Sequence, residues 1–123
     1  MSEGPRVLVV DDEPTLVRVI VRMLEMEGFS ARGAQNGVEA LAALERERYA
    51  LVLCDVRMPV MDGPAMLRAL RRRGDASRVV FLTGYADNSS AELLALGASA
   101  VYGKPLEPAA LIEIVRLWAS PPP

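Results

Sequence analysis

Short runs of consecutive apolar residues alternate along this chain with longer segments whose apolar positions recur three or four apart. "RVLVV" (6–10) is β-branched and continuous, which predicts a buried strand. It stops at "DDEP", and Pro14 is a good first helical residue. Leu16, Val19, Ile20, Met23 and Leu24 follow at helical spacing, and Gly28 ends the helix. "FSARGA" (29–34) predicts a more polar strand near a sheet edge, and 36–48 a helix capped by Asn36 with Val38, Leu41 and Leu44 buried. "YALVLCD" (49–55) is the next buried strand.

A loop punctuated by proline and glycine, "VRMPVMDGP" (56–64), leads into a helix from Pro64 to about Arg73, with Asp62 as candidate cap. Strands at 78–84 and 99–103 and helices at 87–96 and 107–119 complete five strand–helix repeats. Residues 1–5 form a tail, 6–119 one domain, and 120–123 a proline-rich tail or linker stub. Strict alternation with short connections predicts an α/β protein with a parallel sheet covered by helices on both faces. In such sheets ligands bind where the strands end, so function is expected along that edge.

Composition narrows this only slightly. With 123 residues, 51% hydrophobic and 24% charged, the chain is one globular domain. A net charge of −2 gives no reason to expect a nucleic-acid or acidic-membrane surface. One cysteine, Cys54, excludes an internal disulfide and suits a reducing compartment. No signal peptide or membrane span is legible, and the expected location is cytoplasmic.

The strand ends carry the chemistry. Asp11 and Asp12 follow the first strand, Asp55 the third, Thr83 the fourth and Lys104 the fifth. Three carboxylates in one place repel one another unless a cation compensates. The chain has no histidine, so an all-oxygen set of carboxylates, a backbone carbonyl and waters points to Mg²⁺ or Mn²⁺. Lys104 is the single lysine among fourteen basic residues. It offers a compact charge to phosphate oxygens, and an aspartate is a competent nucleophile toward phosphorus.

"VLVVDDEP", "LVLCDVRMPVMDG", "VVFLTG" and "GASAVYGKP", in this order over nearly the whole chain, resemble a response-regulator receiver domain of two-component signalling. The resemblance implies a flavodoxin-like, CheY-like fold with strand order 2-1-3-4-5 and five flanking helices. It implies Asp55 as phospho-acceptor and Mg²⁺ held by Asp12, Asp55 and the backbone carbonyl of Arg57, with Asp11 acting largely through water. Thr83 and Lys104 would contact phosphoryl oxygens, and the Lys104–Pro105 bond would be cis. The implied donor is a sensor histidine kinase or phosphotransfer protein, and the implied output is a separate protein or an attached domain. A receiver catalyses only its own aspartyl phosphorylation and dephosphorylation, so it is not expected to be an enzyme in the ordinary sense.

The chain departs from that family at the switch aromatic, and its Thr83-to-Lys104 interval is slightly short, which predicts a displaced fourth helix. Receivers usually carry an aromatic residue three before the active lysine, where this chain has Val101, with Tyr102 one residue later. A shift of one residue along a strand sends the side chain to the opposite face. Either a local irregularity restores Tyr102 to the Thr83 switch, or Val101 leaves the output face weakly coupled. Arg57 and Tyr85 stand where the family tunes water attack, and both are bulky, so slow dephosphorylation is expected.

Other features have plainer readings. Cys54 is expected in the core, Asp62 as a cap, and "RRRG" (71–74) as a solvated helix end. On the last helix, Leu111, Val115 and Trp118 form the core stripe, while Ile114 and Leu117 suggest an interface. Receivers often dimerise through helix four, strand five and helix five. The alternative function is a receiver-fold binding module that works without phosphorylation and has an atypical switch. A haloacid-dehalogenase-type phosphohydrolase would need an aspartate at position 57, and a dinucleotide enzyme a glycine-rich first turn.

Overall fold

The computed structural model describes residues 4–84, 90–104 and 106–120. Its elements are β1 (Arg6–Val10), α1 (Pro14–Met26), β2 (Ser30–Ala34), α2 (Gly37–Arg46) and β3 (Leu51–Asp55). They continue with α3 (Gly63–Arg72), β4 (Val79–Thr83), α4 (Ser90–Ala95), β5 (Ala100–Gly103) and α5 (Pro108–Ala119). All neighbouring strands pair in parallel, in the order β2-β1-β3-β4-β5. The polar strand β2 is therefore an edge, as its sequence predicts, and the apolar runs β1, β3 and β4 fill the centre.

Alternating strand residues feed two apolar clusters, one on each face. Leu8, Val10, Val52, Cys54, Val79 and Phe81 pack with Ala40 and Leu44 of α2, Met66, Leu67 and Leu70 of α3, and Leu93 of α4. Val7, Val9, Leu51, Leu53, Val80 and Leu82 pack with Val17, Ile20 and Leu24 of α1 and Leu111, Ile114, Val115 and Ala119 of α5.

Three sequence expectations about helix faces change. Val19 and Val38 are exposed, and Val17 and Ala40 take the buried positions. The apolar faces of α1 and α2 are broad, and the side that meets the sheet is centred a residue or two away. Ile114, expected at an interface, is 8% exposed and belongs to the core, whereas Leu117 is 63% exposed. Ile114 is one residue from Val115 and three from Leu111, so all three share the sheet-facing arc. The helix-ending role of Gly28 and the capping roles of Asn36 and Asp62 hold: the Asn36 and Asp62 side chains accept from the amides of Glu39 and Ala65 at 2.9 Å each.

Candidate functional site

Each candidate residue is set at the edge by its strand. Asp11 follows β1 directly; its amide still donates to Ala34 of β2, and its Oδ1 accepts from the Glu13 amide at 3.0 Å. That turn aims Oδ2 inward and leads the chain into Pro14. Asp55 is the last residue of β3, and its Oδ1 accepts from the Val56 amide at 2.8 Å. Asp12, beside them, is exposed.

The three carboxylates converge: Asp11, Asp12 and Asp55 each offer an oxygen within 4.8 Å of the other two. Lys104 enters from β5, anchored by its amide to the Thr83 carbonyl at 2.8 Å. Its ammonium lies 3.3 Å from Asp11 Oδ2 and 3.2 Å from Asp55 Oδ2. Thr83, buried at the end of β4, donates its hydroxyl to the Gly84 carbonyl at 3.0 Å.

The electrostatics follow from one ammonium serving two largely buried carboxylates. Burial pushes the Asp55 carboxyl above its ordinary value; Lys104 opposes this and the Asp11 charge adds to it. Burial pulls Lys104 down, but Asp55 and then Asp11 outweigh it and hold the ammonium above its usual range. Three carboxylates of hard oxygen donors, with one ammonium against them, form a cluster that could hold a metal ion.

The loop after Asp55 is tightly built. The Gly63 amide donates to the Val56 carbonyl and the Gly37 amide to that of Met61, so the loop also holds the start of α2. Val60, at φ 71°, is the one described non-glycine residue in the left-handed region. Its sequence context gives no sign of this, since a β-branched residue is the least expected there.

Cys54 is fully buried and its Sγ donates to the Asp55 carbonyl, so it is a core residue as expected. Arg57, two residues after Asp55, is exposed. Tyr85 and Pro105 lie outside the described residues, so the tuning position and the cis bond expected there are not described.

The question left open at Val101 and Tyr102 has a clear outcome. β5 pairs with β4 in unbroken register, Phe81 with Val101 and Leu82 with Tyr102. Val101 packs on the face of α2, α3 and α4 with Phe81, and Tyr102 on the face of α1 and α5. No bulge returns Tyr102 to the Thr83 side. Instead the indole of Trp118 donates to the Tyr102 hydroxyl at 2.9 Å, a contact that only the fold reveals.

A family model described as the response regulator receiver domain matches residues 7–116. The transcriptional regulatory protein CpxR homolog of Haemophilus influenzae is 38% identical over 94% of this chain, which spans 52% of that protein. The sensor histidine kinase GacS of Pseudomonas protegens is 37% identical over 95% of this chain, which spans only 13% of the kinase. A CheY-like receiver domain structure from Methanospirillum hungatei superposes with a TM-score of 0.86 at 31% identity, covering 96% of this chain and 94% of that one. Among the described residues no helix is long and apolar enough to cross a membrane.

Proposed function

The chain belongs to the response regulator receiver family, a signalling module of two-component systems, and from that membership we propose that Asp55 is its phospho-acceptor. The observation that carries this is the Lys104 ammonium set between Asp11 and Asp55 at 3.3 and 3.2 Å. It sits where a phosphoryl group on Asp55 would need a counter-charge.

The donor is a phosphohistidine of a sensor histidine kinase or phosphotransfer protein. The Val56 amide fixes the Asp55 carboxyl through Oδ1 and presents Oδ2 toward Lys104. Oδ2 attacks phosphorus, an O–P bond forms as the N–P bond breaks, and the imidazole leaves with that electron pair. Lys104 then pairs with a phosphoryl oxygen, and the Thr83 hydroxyl turns from the Gly84 carbonyl to another.

Asp12, Asp55 and the Arg57 carbonyl would hold Mg²⁺, with Asp11 acting through water. When bound, the cation neutralises charge on the phosphoryl oxygens. Arg57, with Tyr85, restricts water at the acyl phosphate, so the adduct outlives the seconds timescale. The domain works in the cytoplasm, and its output is a partner protein or an attached domain, reached directly or by pairing of two copies through α4, β5 and α5.

Intact mass after incubation with acetyl phosphate tests the acceptor role. One phosphoryl adduct that needs Mg²⁺ and is missing in Asp55→Asn is expected. An adduct of equal yield on that variant would exclude Asp55.

Val101 favours a second reading, a binding module that acts without phosphorylation, because the usual aromatic is missing from the Thr83 side. Partner binding that is the same for the phosphorylated protein and Asp55→Asn would support it.

A further inference from the structure

We propose that Tyr102 and Trp118 form a coupling element that passes a displacement of Lys104 to the last turn of α5. The proposal rests on the acceptor role of Asp55. It carries the readout through the side of β5 that faces α1 and α5, not the side that Thr83 shares.

The register of β5 sets the premise. Val101 has no polar atom with which to follow the Thr83 hydroxyl. The aromatic on β5 is turned to the other side, where its hydroxyl accepts from Trp118 Nε1. Tyr102 is two residues from Lys104, about 7 Å along an extended strand.

Trp118 is attached to two strands at once. Arg78, the residue just before β4, donates to the Trp118 carbonyl at 2.7 Å and also to the Ser120 carbonyl. The backbone of the last α5 turn is thereby fixed to β4, while the Trp118 indole is bonded to β5. Any slip of β5 against β4 must be taken up at the bond between Nε1 and Oη.

Phosphorylation would drive such a slip. Lys104 now points at Asp11 Oδ2 and Asp55 Oδ2, and a phosphoryl group would offer oxygens further out. The segment beyond β5 has room to follow, because a groove of about 260 Å³ lies between α1 and α5, lined by Leu16, Ile20, Leu82, Lys104, Leu106 and Leu111. The start of α5 is also tied to this motion by the chain, since Pro108 is four residues after Lys104.

Trp118 is the only tryptophan, so emission excited in the indole band reports the surroundings of this one side chain, and Tyr102→Phe isolates the share that depends on this bond. The full chain would be treated with acetyl phosphate and Mg²⁺, following adduct by intact mass and Trp118 emission in the same samples. Tyr102→Phe removes only the accepting oxygen, and Asp55→Asn controls for Mg²⁺ and donor. The expected result is an emission change that tracks the adduct in the unmodified protein and is mostly lost in Tyr102→Phe, which still takes up the phosphoryl group. Full adduct with unchanged emission would overturn the coupling and leave the acceptor role standing. An equal emission change in Tyr102→Phe or in Asp55→Asn would also overturn it. No adduct at all would overturn the acceptor role, and the coupling with it.

Discussion

The ammonium of Lys104 lies 3.2 Å from Oδ2 of Asp55, yet the Asp55 carboxyl binds its proton more tightly than an ordinary aspartate. An ion pair alone would do the reverse. Burial comes first, and Asp11 both adds repulsion and shares the same ammonium. The site therefore holds unfavourable negative charge that a divalent cation can relieve.

A pH dependence follows. The folded state holds the Asp55 proton more tightly than the unfolded chain, so this group's contribution to stability falls as pH rises from near 3.8 through the folded-state value. At neutral pH the full cost is present. Asp55→Asn is expected to raise the urea midpoint at pH 7 in chelator, with the gain shrinking toward pH 4 and on adding Mg²⁺. A lower midpoint for the variant at pH 7 in chelator would contradict this account.

Removing the shared cation should act in the opposite direction. Lys104→Met leaves Asp11, 5% exposed, and Asp55 facing each other without the ammonium. A loss on the order of 1–3 kcal/mol is expected in chelator. Mg²⁺ should restore part of it, because the carboxylates then have another partner. Urea titrations with and without Mg²⁺ check both halves.

The fold and most of the site were legible because each strand end carries its chemistry in sequence order. "VLVVDD" and "LVLCD" mark a buried run and then a carboxylate, and alternation with helices brings those ends together. Helix faces were less legible: Val19 is exposed and sits about 100° from buried Ile20, whereas Ile114, expected at an interface, shares the buried arc with Val115, and spacing alone does not resolve a rotation of that size. The pairing of Tyr102 with Trp118 was hidden for another reason. The one-residue shift showed that Tyr102 leaves the Thr83 face, but its new partner comes from a helix sixteen residues on.

Cys54 should be inert in the native protein. Burial pushes its thiol well above the ordinary range, and the neighbouring Asp55 charge adds to that. Reaction with a disulfide reagent at neutral pH is expected to be slower than in the unfolded chain by roughly 10³-fold or more, limited by opening of β3. A rate near that of a free thiol would show that β3 opens readily.

Val60 carries backbone strain. Its φ of 71° is closed by the Met61 amide donating to the Pro59 carbonyl at 2.8 Å, a tight turn that β-branched residues avoid. The side chain is 81% exposed, so little burial offsets that cost. Val60→Gly should stabilise the protein by about 1 kcal/mol after allowing for the glycine's extra unfolded-state freedom. A thermal melt showing a loss instead would mean the valine makes a contact worth more than its strain.

Gly63 faces a steric limit unrelated to φ. A β-carbon there would lie 2.5 Å from Phe81 Cε1 and 2.6 Å from the Asp55 carbonyl oxygen. Phe81 is fully buried and that carbonyl belongs to Asp55, the proposed acceptor, so neither can yield without moving the core or the site. Gly63→Ala is expected to cost about 1–3 kcal/mol. It should also slow phosphorylation by acetyl phosphate, because the added methyl presses on Asp55 itself. Gly103→Ala is the matched control beside Lys104, since a β-carbon there meets nothing within 4 Å. Urea midpoints and adduct rates for the pair separate the two cases. Equal losses would show that crowding at Phe81 and Asp55 is not what keeps position 63 a glycine.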